Sequence, residues 1–397
     1  MPQAIALAVD IVTTVLTVAG MAYFLASTIA ARLYLRSRRA ALPTSAPGVT
    51  ILKSLKGLDP GMLDAFRSHC CQDYAGNFEL LFGVSSLNDP AVPAVERLRA
   101  EFPHVDIGLI ACPERLGTNG KVSTLFQLAI HARYDYLLIN DSDITVSPRY
   151  VERVMDCFAK QKSHPSQPSA RVGMVTALYR GRAHGTFGSR LEALGIASDF
   201  MPSVLVSRMI EGSLKYGLGS TLAVRRDALD EAGGLLALVD QLADDHQMGV
   251  RLVKAGYSIA LSPEVVETAI PAYNWRGFID HQLRWARTVR DASPGGYTGL
   301  IFTHGLSWAM LNLIASGFSP LSLWLFAMSF FLRLTQAMTV GAEVLGDRQV
   351  LPSLWLLPFR DAVQMGIWIT GFAGNTIIWR GEEFQLQSGK LLRNEKQ

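Results

Sequence analysis

YDYLLINDSD, residues 134–143, joins an apolar run to two aspartates spaced two apart. A short, continuous apolar run that ends in polar residues has the pattern of a strand buried on both faces. Three upstream segments share it: VTILKSL (49–55), FELLFGV (78–84) and VDIGLIA (105–111). Each is followed by a turn and a candidate helix, which predicts an α/β fold with a mostly parallel sheet. Ligands of such sheets bind beyond the carboxyl ends of the strands. This chain puts polar groups at those ends: Lys53, Ser54 and Lys56 at the first, Ser85 to Asp89 after the second, Asp141 to Asp143 after the fourth. No Gly-x-Gly-x-x-Gly or P-loop pattern follows any strand, which argues against dinucleotide and NTPase sites.

Outside that core the chain is built for a bilayer. Its 397 residues are 49% hydrophobic and 18% charged, against about 25% charged in ordinary soluble domains. A net charge of +3 gives no reason to expect a nucleic-acid partner. The four cysteines (Cys70, Cys71, Cys112, Cys157) have neither disulfide-framework density nor metal-ligand spacing, which suits a reducing compartment. Residues 11–31 carry no charge, and about 20 such residues cross a bilayer as a helix. Arg32, Arg36, Arg38 and Arg39 follow them, so the positive-inside rule places residue 40 onward in the cytoplasm. Ala292 to Leu332 also lacks charge and breaks at Ser319-Pro320, which predicts a helical hairpin over about 299–317 and 321–340. A third apolar stretch, Leu351 to Trp379, contains Pro358, Arg360 and Asp361, which are costly at mid-bilayer. With Arg380, Lys390, Arg393 and Lys396 beyond it, it is expected not to cross, leaving the carboxyl end cytoplasmic. The expected division is a signal anchor with its basic flank (1–40), a cytoplasmic catalytic domain (41–298), a transmembrane hairpin (299–340) and a membrane-associated segment with a basic tail (341–397). Residues 41–48 form a Pro/Ser linker, and QKSHPSQPSA (161–170) reads as a surface loop.

Several groups in the middle of the chain are candidates for chemistry. Asp141 and Asp143 at a strand end read either as a solvated turn or as oxygen ligands for a hard divalent cation bridging to a diphosphate. Ala243-Asp244-Asp245-His246 opens an apparent helix, so one aspartate is a candidate N-cap and the other a general base at the helix mouth. His281-Gln282-Leu283-Arg284-Trp285 precedes the apolar hairpin and reads as an interfacial belt, or as Arg284 meeting a diphosphate with Trp285 against substrate. Lys121, after a flexible loop, is either a solvated lysine or a second cation for the same anion.

Together these motifs resemble the metal-dependent, inverting, family-2-type glycosyltransferases with a GT-A nucleotide-sugar domain. The branch most similar holds the ceramide glucosyltransferases and the bacterial hopanoid-biosynthesis-associated glycosyltransferases. The resemblance rests on Lys53-Ser54-Leu55-Lys56-Gly57, Asn88-Asp89-Pro90, Asp141-Ser142-Asp143, Asp245 and the motif at 281–285, in family order over about residues 49–300. It implies a UDP-sugar donor contacted by Lys53, Asp89, Lys121, Asp141, Asp244, His281 and Gln282. It further implies Mg2+ or Mn2+ on Asp141 and Asp143, and catalysis by Asp245 with Arg284 and Trp285. His281 stands where the family usually has Gln or Arg. Tyr179 to Arg182 and Phe200 to Val206 look more like the hopanoid-associated proteins. The expected activity is therefore transfer of one sugar, as UDP-GlcNAc or UDP-glucose supplies it, to a lipid hydroxyl at the cytoplasmic face of the inner membrane. A hopanoid polyol is the first choice of acceptor and ceramide the alternative. A processive polysaccharide synthase and a non-catalytic sugar-nucleotide scaffold are the remaining rivals.

Overall fold

The computed structural model describes residues 2–38, 46–159, 171–379, 382–387 and 389–393. Most of the linker, the loop 161–170, Arg39, Arg380 and Lys396 lie outside those residues. The chain divides into two compact units, each made of separated stretches.

One unit holds 40–182, 210–271 and 383–397 and is built on an eight-stranded sheet. Its strands are β1 (Val49–Leu55), β2 (Phe78–Val84), β3 (Asp106–Ala111), β4 (Tyr136–Ile139), β5 (Ile144–Thr145), β6 (Val172–Arg182), β7 (Leu222–Arg225) and β8 (Ser258–Ala269), in the order β3-β2-β1-β4-β7-β6-β8-β5. From β3 to β4 all pairs are parallel, with Val49 opposite Phe78 and Tyr136. The four apolar runs of the sequence thus become four adjacent strands. Beyond β4 the sheet departs from the expected parallel pattern: β7 runs antiparallel to both β4 and β6, β6 and β8 are parallel, and β5 pairs antiparallel with β8. The strands β1 and β2 are buried almost throughout because helices cover them. Gly83 shows how tightly: a Cβ there would lie 2.5 Å from Thr124 Cγ2 of the helix Gly120–His131.

That helix is N-capped by Asn119, whose side chain accepts from the Val122 amide at 3.2 Å and donates to the Gln241 carbonyl at 2.7 Å. One side chain therefore fixes both the start of the helix and the loop leading to Asp244. A hairpin of Glu382–Gln387 and Lys390–Arg393 closes on the same loop, with the Leu391 amide donating to the Asp240 carbonyl at 2.9 Å.

The other unit holds 1–39, 183–209 and 272–382 and is helical. Residues 183–209 and 272–298, assigned by the linear division to the catalytic segment, group with these helices. Ala4–Ser37, Phe187–Glu211 and Pro320–Val344 are long and apolar enough to cross a membrane. The first and third match the sequence expectation and the second does not. The helix expected over 299–317 is a bent pair, Pro294–Thr303 and Gly305–Ala315, meeting at 55°. Gly20 and Gly305 let two helices touch: a Cβ on Gly20 would lie 2.1 Å from Gly305 Cα. The stretch from Leu351 forms a short 3-10 turn and the helix Leu357–Gly371, 15 residues long, or about 22 Å at 1.5 Å per residue.

Candidate active site

At the carboxyl ends of the parallel strands, four groups from different parts of the chain meet. Lys121, on the first turn of its helix, places Nζ 2.7 Å from Asp141 Oδ1 and 3.6 Å from Asp244 Oδ2. Asp244 and Asp245 open the helix Asp244–Lys254, but neither is its N-cap, since Ala243 holds that position without a side-chain cap. The capping reading of the sequence is corrected accordingly. Asp245 is held from elsewhere: its Oδ2 accepts from the Gly219 amide at 2.8 Å and its Oδ1 from the His246 amide at 2.7 Å.

Gly219 carried no signal in the sequence. A Cβ on it would sit 3.1 Å from Asp245 Oδ2 and 3.7 Å from Asp141 Oδ2, so a hydrogen at this position lets both carboxylates approach the same point. Asn140, fully buried, ties this loop to the end of β4. Its Nδ2 donates to the Ser220 carbonyl at 2.7 Å and the Tyr150 hydroxyl at 2.9 Å, while Oδ1 faces His69 Nε2 at 3.3 Å.

Asp143 accepts from the Thr268 hydroxyl, and Ser142 donates to Asp59. Burial and the neighbouring Asp141 push the Asp143 carboxyl up to about 6. Burial also raises Asp244 and Asp245, with Lys121 opposing it in both. Lys121 in turn stays firmly protonated: burial works against its charge, and Asp141 and Asp244 outweigh burial. Among the described residues no group of three or more His, Cys, Asp or Glu is arranged as a metal site.

The remaining predicted residues are placed differently. Lys53 is 1% exposed and donates from beneath to the Asp141 carbonyl at 3.0 Å. It therefore supports the aspartate loop and presents no surface to a ligand. Burial lowers its ammonium to about 7, against the pull of Asp141 and Asp143. Asp89 accepts from the Gly57 amide at 3.0 and 3.2 Å and from the Ala91 amide at 2.9 Å, bracing the loop after β1.

His281, Gln282, Arg284 and Trp285 belong to the helical unit, on the helix Trp275–Ala292 that Asn274 caps. His281 Nδ1 lies 3.0 Å from Glu192 Oε2, and its ring stacks on Tyr273 and approaches Trp285 at 5.6 Å. Trp285 meets Phe200 edge-on, and Gln282 accepts from Arg360 at 3.3 Å. The Tyr179 to Arg182 stretch is the end of β6, where Arg180 and Arg182 pair with Glu267.

The model of glycosyl transferase family 21 matches residues 12–392. The chain belongs to that family. Ceramide glucosyltransferase 3 of Caenorhabditis elegans is 26% identical over 374 residues, covering 87% of this chain and 74% of the relative. The ceramide glucosyltransferase of Komagataella phaffii is 35% identical over 121 residues, 30% of this chain and 24% of the relative. The solved mannosyltransferase PcManGT from Pyrobaculum calidifontis, in complex with GDP-Man and Mn2+, superposes with a TM-score of 0.51 at 19% identity, covering 92% of this chain and 97% of that one. The large sheet is thus that of a GT-A glycosyltransferase, joined to helices that can span a membrane.

Proposed function

We propose that this family 21 glycosyltransferase moves a glucose-type sugar from a UDP-sugar to the primary hydroxyl of a ceramide-type lipid, with inversion, at the cytoplasmic face of the inner membrane. The observation that carries the reading is the meeting of Asp141, Asp244, Asp245 and Lys121 about Gly219, at the strand ends where α/β sheets hold ligands. The names of the relatives move ceramide ahead of the hopanoid polyol that the sequence motifs favoured.

Asp245 suits a base. Two backbone amides fix its carboxylate, and burial raises its proton affinity, so it can accept the hydroxyl proton of the acceptor as attack proceeds. Lys121 supplies a permanent positive charge for a diphosphate, which exchanges for the carboxylates it now pairs with. Arg284 and Trp285 are proposed as further contacts of the donor, and Asp89 as the support of the loop on which uridine rests. Direct attack on an α-linked donor gives a β-linked product.

The residues present fit a divalent cation. Burial, and then the neighbouring Asp141, raise Asp143 toward protonation, a strain that a hard cation relieves, and both offer oxygen ligands. Asp141 and Asp143 would hold Mg2+ or Mn2+, which when bound neutralises charge on the leaving diphosphate.

Purified protein incubated with a panel of UDP-sugars and a total lipid extract tests the reading. A new glucosylated ceramide identified by mass supports it. A glycosylated hopanoid with ceramide untouched transfers the assignment to the other acceptor, and a sugar polymer overturns single transfer.

A further inference from the structure

The helical unit buries three charges, Arg333, Arg360 and Asp361, beside a fourth, Asp199, that is partly exposed. Arg333 is 2% exposed and donates to Asp361 from Nε at 2.8 Å and from Nη2 at 2.6 Å, and it also pairs with Asp199. Arg360, 3% exposed, lies 3.2 Å from Asp199 Oδ2 and donates to the Leu191 carbonyl at 3.0 Å. Two cations thus face two anions. Asp199 sits in a π-helical turn, Ile196–Phe200, a local distortion that recurs at functional sites. Arg360 also reaches Gln282, and Phe200 touches Trp285, so this cluster adjoins the helix carrying the 281–285 motif.

His304 stands at the break of the bent helix pair, next to Gly305, where a Cβ would lie 3.0 Å from the ring of Phe24; the Arg333 guanidinium lies over that same ring at 5.4 Å. His304 is 7% exposed, its ring lies against Trp368 at 5.4 Å, and its Nε2 has no hydrogen-bond partner. The hydroxyls of Ser307, one turn on, and of Ser329, one turn before Arg333, are also buried without partners. Trp368, against which His304 lies, forms an apolar wall with Tyr297, Ile367 and Ala286. A buried nitrogen without a partner leaves its loss of hydration uncompensated. Two such groups one turn apart at a helix break, His304 and Ser307, fit a place where a ligand completes the bonding. Ionisable residues at membrane depth mark functional sites in the same way.

We propose that His304, Ser307 and the Asp199–Arg333–Arg360–Asp361 cluster bind the polar head of a neutral lipid bearing hydroxyl groups. An imidazole nitrogen pairs with a hydroxyl as donor or acceptor. The charge-balanced cluster has no surplus cation for a phosphate, which selects against anionic phospholipids. The apolar wall takes the adjoining chain. The identification of that lipid as ceramide rests on the proposed function; the site itself does not.

The test uses the full chain in phosphatidylcholine nanodiscs with a ceramide carrying a diazirine beside its amide. Label is expected in residues 300–307 and around Trp368, competed by unlabelled ceramide and not by phosphatidylglycerol. His304→Phe should cut labelling about tenfold or more and raise the ceramide KM while leaving the UDP-sugar KM unchanged, with His304→Gln recovering part of the loss. Should His304→Phe fail to fold, Ser307→Val is expected to act in the same direction. Label confined to other segments, competition by phosphatidylglycerol, or indifference of folded variants overturns the site. A matching diazirine diacylglycerol separates the two ideas. If it is captured at these residues and ceramide is not, the acceptor reading fails and the site stands. If ceramide is glucosylated but neither labels nor responds here, the site fails and the acceptor reading stands.

Discussion

Lys121 holds Asp141 at 2.7 Å, and the same ammonium reaches Asp244 at 3.6 Å. A single cation thereby joins the end of β4 to the helix that carries Asp245. Removing it takes from Asp244 and Asp245 the cation that opposes their burial, and from Asp141 its ion-pair partner. Lys121→Met is expected to raise the UDP-sugar KM about tenfold or more and to move the acidic limb of the pH profile upward, because the aspartates then protonate more readily. Steady-state kinetics across pH checks both effects, and an unmoved limb would contradict the pairing.

Asp245→Asn keeps the shape of the side chain and removes its basicity. Turnover should fall about 10² to 10⁴-fold, with UDP-sugar affinity nearly unchanged. Titration of UDP binding beside single-turnover assays distinguishes this from a collapsed site.

Gly219→Ala adds one carbon at the point where Asp245 and Asp141 converge. Gly219 is not among the glycines with positive φ, so the damage comes from contact and not from backbone strain. The Cβ, 3.1 Å from Asp245 Oδ2, should displace the carboxylate and lower kcat about tenfold or more, with a melting temperature within a few degrees of the parent. Equal kcat in the two proteins would remove Gly219 from the site.

The raised Asp143 carboxyl predicts a pH-dependent stability. Its folded value, about 6, exceeds that of the unfolded chain at about 3.9. Its proton therefore favours the folded state at low pH, and the charged form costs stability progressively above the unfolded value, in full beyond pH 6. Asp143→Asn should raise the melting temperature at pH 7.5 by a few degrees and have little effect at pH 4. The same substitution should weaken UDP binding chiefly when Mn2+ or Mg2+ is present, as titrations with and without chelator would reveal.

The strands β1, β2 and β4 were legible because burial on both faces writes them as unbroken apolar runs, and β3, half-exposed at the sheet edge, still carries a short apolar run. The sheet beyond β4 was not legible, since β8 alternates buried and half-buried residues. The helix Phe187–Glu211 escaped notice because Arg190, Glu192 and Asp199 interrupt its apolar character, and its polar residues find buried partners only once the fold exists. Asp141, Asp143, Asp244 and Asp245 stood out as acidic pairs beside strand and helix ends. Gly219 and Asn140 act through a hydrogen atom and through backbone carbonyls, features that no residue spacing announces. Lys53 shows the opposite limit: its position at a strand end suggested ligand contact, yet side-chain direction put it underneath the loop.

The hairpin of residues 382–393 closes on Asp240 within the same folded unit as β1 to β8. Two distant parts of the chain that share one fold must share one compartment. Every passage through the bilayer between them is then matched by a return, so the crossings between residues 182 and 383 are even in number. The parity follows from a few backbone hydrogen bonds, independent of how apolar any helix is.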